Sequence, residues 1–220
     1  MRTPRRPAGD TLCIRERGLW PLRRSSRVPR AGYTLIELVF AVGLTVVLAG
    51  TATPIWSNAT DRARALAAAR YVAARLQYVR MEAVKRSAYV GVRFLRESTG
   101  AYRMTLFADG NGNGLRAADI GRGIDEAIQP DDRLEDRFAG VRFGVLDGVV
   151  EMDSPALLSP DPIQIGRTDL VSFSPAGTAT SGTLYISGRG NRQLAVRILG
   201  ATGRVRVLEY HADSTRWEVP

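Results

Sequence analysis

A single stretch decides what this chain can become: from Tyr33 to Trp56 it reads YTLIELVFAVGLTVVLAGTATPIW, 24 residues with one charge, Glu37. A helix needs about 20 apolar residues to cross a bilayer core. Nine arginines (Arg2, Arg5, Arg6, Arg15, Arg17, Arg23, Arg24, Arg27 and Arg30) stand before it against Asp10 and Glu16. That segment alone therefore carries +7 of the chain's formal +9. Basic residues flanking a span favour the cytoplasmic side, which would put the C-terminal bulk on the opposite face of the membrane.

Three readings of residues 1–56 compete. A signal anchor accounts for the apolar run but not for Glu37. A secretory signal peptide accounts for the basic start, with Gly50-Thr51-Ala52 as a small-residue cleavage site, but the apolar run is long for one. The third reading is a leader cut after Gly32 that leaves the apolar helix in place. Arg30-Ala31-Gly32-Tyr33-Thr34-Leu35-Ile36-Glu37-Leu38 resembles the signal of type IV pilins and type II secretion pseudopilins, with Tyr33 where that family usually has phenylalanine. The resemblance implies a leader over 1–32, cleavage between Gly32 and Tyr33 by a prepilin peptidase, and N-methylation of Tyr33. It implies a transmembrane helix over 33–56 and a role for Glu37 in assembly.

Glu37 has a physical argument of its own. A carboxylate near the centre of a membrane helix costs on the order of 2.5–3.5 kcal/mol, and less near an end, so it usually has a partner. Cleavage after Gly32 would create an α-amine one helical turn away. In the family the matching glutamate is thought to pair with the amine of a neighbouring subunit; a carboxylate reaching back to the membrane surface is the plainer reading.

Pro54, with Gly43 and Gly50, predicts a bend or soft region between Gly50 and Ser57. Beyond it Leu66, Ala69, Ala73, Leu76, Val79 and Ala83 recur at helical spacing among arginines, an amphipathic continuation over 57–86. A helix over 33–86 would be about 80 Å long at 1.5 Å per residue. After Arg86 the pattern turns to strands. Segments 89–94 and 102–107 flank a Glu97–Gly100 turn; 141–145, 170–174, 183–187, 193–199 and 204–210 follow. Residues 108–136 read as a long loop and 153–162 as irregular. The predicted fold class is α+β: a long N-terminal helix packed on an antiparallel meander occupying 87–220. Segments 76–94, 171–187 and 201–207 resemble GspH/FimT-type minor pseudopilins.

Catalysis finds few residues to work with. The one cysteine, Cys13, lies in the leader, and the one histidine, His211, near the C-terminus. No nucleophile or phosphate-loop motif is present, and neither an enzyme nor a cofactor is expected. Two candidate sites remain. Asp109, Asn111 and Asn113, with Gly114 sixth, resemble the start of a calcium loop, but the twelfth position is Ile120 and Asp119 falls one short; the same residues suit a tight turn. The interval between Asp169 and Glu209 contains no acid but holds Arg189, Arg192, Arg197, Arg204 and Arg206. Strand alternation puts Arg204 and Arg206 on one face and Val205 and Val207 on the other. Arginines so placed can take phosphate bidentately, and Gly203-Arg204-Val205-Arg206 resembles a motif linked to DNA binding in FimT-type proteins. A solvated strand face is the competing reading. The implied partners are a prepilin peptidase, other pilins or pseudopilins, the inner membrane and, in the alternative reading, DNA. The implied location is the inner membrane, single-pass, with the head in the periplasm or at a filament tip.

Overall fold

The computed structural model describes residues 32–220, with the side chains of 49–58 excepted. The leader expected over 1–32 thus lies outside the described residues except for Gly32. The chain divides into two units between Val46 and Val47.

In the first unit the helix α1 (Leu35–Arg86) begins. Thr34 caps it: its hydroxyl accepts the Glu37 backbone N–H at 3.3 Å, and Glu37 lies in the first turn, where a carboxylate complements the helix dipole. The apolar side chains from Leu35 to Leu48 are exposed. Among the described residues no helix is long and apolar enough to cross a membrane; the span expected at 33–56 includes eight residues, 49–56, whose side chains lie outside that set. The helical backbone runs without a break through Pro54.

The second unit holds the rest of α1 and the head. The helix face buried here is Ala65, Ala68, Ala69, Val72, Leu76, Val79 and Ala83, at spacings of three and four. Leu66 and Ala73, expected in this stripe, only flank it, half-buried against the core. Alanines let the helix lie close to the sheet. At Gly188 a side chain would bring a Cβ within 2.8 Å of the Ala65 Cβ, so a bare backbone is needed where the two elements meet.

Strands β1 (Val90–Arg96) and β2 (Tyr102–Ala108) form the expected hairpin, closed by Gly100, whose N–H donates to the Glu97 carbonyl at 2.9 Å and whose φ is +83°. The region expected as one long loop contains short elements: α2 (Ala117–Gly121), β3 (Glu126–Ala127), β4 (Asp132–Arg133) and α3 (Leu134–Arg137). Then come β5 (Arg142–Phe143), shorter than predicted, β6 (Ile163–Gln164), β7 (Leu170–Phe173), β8 (Gly182–Gly188), β9 (Arg192–Leu199), β10 (Arg204–His211) and β11 (Arg216–Glu218). All named pairings are antiparallel, but the strands make two sheets rather than one meander. The first runs β3-β2-β1-β7 with β4 beside β2; the second runs β11-β10-β9-β8-β5 with β6 beside β8. The pairing of β1 with β7, Val90 opposite Phe173, joins segments about eighty residues apart and draws β7 out of the meander.

Both sheets give one face to the core under α1. Phe94, Met104 and Phe173 come from the first; Leu184, Ile186, Leu194, Val196 and Ile198 from the second. The second sheet is also covered on its other face, where Val149, Leu158 and the Trp217 ring close over Tyr185 and Ala195.

A polar clasp joins α1 to the 132–137 segment. The Tyr71 hydroxyl donates to Asp132 Oδ2, and Arg137 Nε donates to Oδ1 at 2.8 Å. Burial pushes the Asp132 carboxyl up, but these donors more than offset it and hold it below the usual carboxylate range. A carboxyl depressed in the folded state stabilises the protein above its unfolded pKa, and that share is lost as the pH falls through the folded value. Asp132→Asn should therefore cost about 2 kcal/mol at neutral pH. The deficit should shrink as acid unfolding is approached, which denaturant titrations at neutral and acid pH would measure.

Candidate functional site

Glu37 sits at the start of α1 among Leu35, Ile36 and Leu38, all exposed. Its backbone is committed to the Thr34 cap. Among the described residues its carboxylate has no ion-pair partner. One acid in an apolar run is thus presented outward. Gly32 and Tyr33 precede the helix in irregular, exposed backbone.

The five C-terminal arginines do not form one site. Arg189 and Arg192 belong to the β8–β9 turn, whereas Arg204 opens β10 at the opposite end of the sheet. From Arg192 to Arg197 the strand alone spans about 17 Å at 3.3 Å per residue. Arg197 lies directly opposite Arg206 across the β9–β10 ladder but is held by Asp153 at 2.7 and 3.2 Å. That bond keeps the Asp153 carboxyl below its ordinary range. Arg192 leans on Glu209 at 3.8 Å, and Arg189 lies over Gly140. Arg204 and Arg206 are exposed and, among the described residues, make no ion pair. Val205 and Val207 pack on the core as alternation requires. The two free guanidiniums are therefore a local pair, and the wider basic set is divided by distance and by carboxylates.

Gly203 of the same motif has a structural reason to be glycine. Its φ is +60°, and a Cβ would come within 2.2 Å of the Gly177 carbonyl oxygen, where the Pro175–Thr178 turn backs onto the β9–β10 turn. The Arg80 side chain lies across both glycines and donates to the Gly177 carbonyl at 3.2 Å. Gly203→Ala should cost about 1–3 kcal/mol through backbone strain and displacement of that turn, read as a lowered denaturation midpoint at unchanged m-value.

The Asp109–Gly114 loop is organised by its own backbone. Asp109 accepts N–H groups from Asn111, Gly112 and Gly114 at 2.7–3.1 Å, and Asn111 accepts the Asn113 N–H at 3.2 Å. The Asn113 amide donates to buried Asp119 at 3.2 Å. Asp125, absent from the sequence reading and 1% exposed, accepts from Gly110 and Arg116. Among the described residues no group of three or more His, Cys, Asp or Glu side chains is placed to hold a metal ion.

Two further features went unseen in the sequence. Glu209 faces α1 from β10, 2% exposed, with both oxygens held by Arg62 at 2.8 and 3.1 Å. Its position was readable, since alternation sets it on the Val205–Val207 side. A groove between the two sheets, lined by Tyr102, Asp161 and Asp169 among others, had no sequence signal because its walls come from distant segments.

An N-terminal helix with an outward apolar start and a single early carboxylate, continuing into a face packed on antiparallel sheets, defines a pilin-like protein. The family model for the type II transport protein GspH matches residues 68–203, more than half of the chain. The chain belongs to the GspH family, whose members are structural components of type II secretion or type IV pilus systems rather than enzymes. The pilin-like protein PilA1 of Thermus thermophilus is 39% identical over 84 residues, 38% of this chain and 51% of that protein. The chain thus spans about half the length of that curated relative. Among solved structures, the minor pseudopilin EpsH of the Vibrio cholerae type 2 secretion system is 19% identical, covering 66% of this chain and 97% of that one at a TM-score of 0.41. A further crystal structure of it covers 66% and 92%, at 19% identity and a TM-score of 0.40.

Proposed function

We propose that this protein is a minor pseudopilin or minor pilin that takes part in assembling or priming a type II secretion pseudopilus or a type IV pilus. In this reading a prepilin peptidase cuts between Gly32 and Tyr33, Tyr33 is N-methylated, and residues 33–56 hold the chain in the inner membrane. Residues 57–86 continue the helix and 87–220 form the periplasmic head. The observation that carries the reading is Glu37: one carboxylate, without an ion-pair partner among the described residues, a helical turn from the prospective amino end, in an otherwise apolar helix face. A charge there usually has a partner, and a neighbouring subunit's amine would supply it. A photo-crosslinker at Leu38 should capture another pilin-like subunit in cells that contain prepilin peptidase and none in cells that lack it. Equal capture in both would count against the reading.

A second reading, DNA capture during uptake, is favoured by the exposed pair Arg204 and Arg206. Such binding would be electrostatic and indifferent to sequence. The double change of Arg204 and Arg206 to Gln should lower duplex affinity at least about tenfold and flatten its salt dependence. Unchanged binding by the variant would remove these arginines from the account.

A further inference from the structure

Between the hairpin turn of β1–β2 and the edge formed by β5 and the 160–162 segment lies a groove of about 870 Å³. Phe143 and Tyr102 belong to its lining and stack edge-to-face at 6.0 Å. Five charged residues line it: Arg96, Glu135, Arg142, Asp161 and Asp169. Among the described residues none of the five makes an ion pair, although eleven pairs form elsewhere in the chain. One Asp161 oxygen accepts the Ile163 N–H at 3.0 Å, and that is its only side-chain hydrogen bond among the described residues.

Tyr102 supplies an independent sign of a ligand. It is 6% exposed, and among the described residues its hydroxyl has no hydrogen bond. The ring is buried while the hydroxyl stays open to the groove, so a group seated there would be its partner. The charges felt by that hydroxyl, Asp161, Arg96 and Asp169, all line this groove, so the hydroxyl opens into it. Glu135 has a buried Oε2 that, among the described residues, lacks a partner.

The sign of the missing group follows from depth. Arg96 and Arg142 are exposed at the rim, where their heads can turn to water, and Asp161 is exposed too, whereas Asp169 and Glu135 are half-buried and less open to it. Burial pushes both carboxyls up, and for Asp169 the neighbouring Asp161 adds repulsion. A cation set between Asp161 and Asp169 would relieve both effects.

We propose that this groove seats a lysine or arginine side chain carried on an extended segment of a partner protein, its stem against the Tyr102 and Phe143 rings and its head between Asp161 and Asp169, donating to the Tyr102 hydroxyl. The aromatic wall suits an aliphatic stem or a guanidinium plane. The seat depends neither on membrane insertion nor on Glu37, so it can fail without touching the assembly reading.

The test uses the full chain in detergent micelles, titrated with acetyl-Gly-Arg-Gly-amide and with the same peptide carrying citrulline or glutamate in place of arginine. The arginine peptide should bind at least about tenfold tighter than the citrulline peptide, the worth of one charge-assisted contact. The double variant Asp161→Asn, Asp169→Asn should erase that preference, and Tyr102→Phe, which keeps the ring, should weaken arginine-peptide binding several-fold. Circular dichroism checks that each variant is folded; should the double variant unfold, Tyr102→Phe decides alone. Equal binding of arginine and citrulline peptides, tighter binding of the glutamate peptide, or undiminished binding by the folded variants would overturn the proposal.

Discussion

Arg62→Met is expected to lower the stability of the head by about 3 kcal/mol, near the lower end of the range for breaking a buried ion pair. Glu209 projects from β10 toward α1 with a side chain 2% exposed, and Arg62 covers both of its oxygens. Removing the guanidinium leaves a carboxylate inside the protein with, among the described residues, only Arg192, 3.8 Å away, to answer it. The reverse change, Glu209→Leu, should be milder, because Arg62 is half-exposed and can return to water. Combining the two should recover much of the loss, since an apolar pair of similar volume replaces a desolvated ionic one. For a unit of this size about 3 kcal/mol moves the melting temperature by roughly 6–12 °C. A shift for Arg62→Met no larger than that for Glu209→Leu would show that the bridge is not what ties the helix to the C-terminal sheet.

The second large effect concerns assembly rather than stability. Glu37→Ala should leave the melting of the head unchanged, because Glu37 is exposed and is not one of the core residues. Under the proposed function, processing after Gly32 should also persist, since the substitution leaves the Gly32–Tyr33 junction unchanged. Recruitment into filaments or tip complexes should fall at least about tenfold, the loss of one charge pair in a low-dielectric setting. Glu37→Asp shortens the reach but keeps the charge and should recover part of it. Normal recruitment of Glu37→Ala would reduce Glu37 to a helix-start residue serving the Thr34 cap.

Much of the frame could be read from residue order. Helical spacing placed α1 against a sheet, yet it could not choose between neighbouring rows. The run Ala65-Leu66-Ala67-Ala68-Ala69 is apolar all round, and only tertiary packing, at Ala65 against Gly188, selects Ala65 and Val72 over Leu66 and Ala73. Hairpins between adjacent strands were legible because turn residues mark them. The β1–β7 pairing was not, because nothing local encodes contact across eighty residues. The arginines illustrate the same limit from the side of function. Alternation separated Arg204 and Arg206 from the valines correctly, but it could not know that Asp153 would claim Arg197 from a distant loop. In the groove, Tyr102 looked like an ordinary strand aromatic until three remote segments closed around it.

The proposed assembly role requires an amino end at Tyr33. Mass spectrometry of the protein purified from its native membrane should find a chain that begins at Tyr33 with one added methyl on its α-amine and no trace of residues 1–32. An intact leader, or a terminus beyond the apolar run such as one near Ala52, would contradict it.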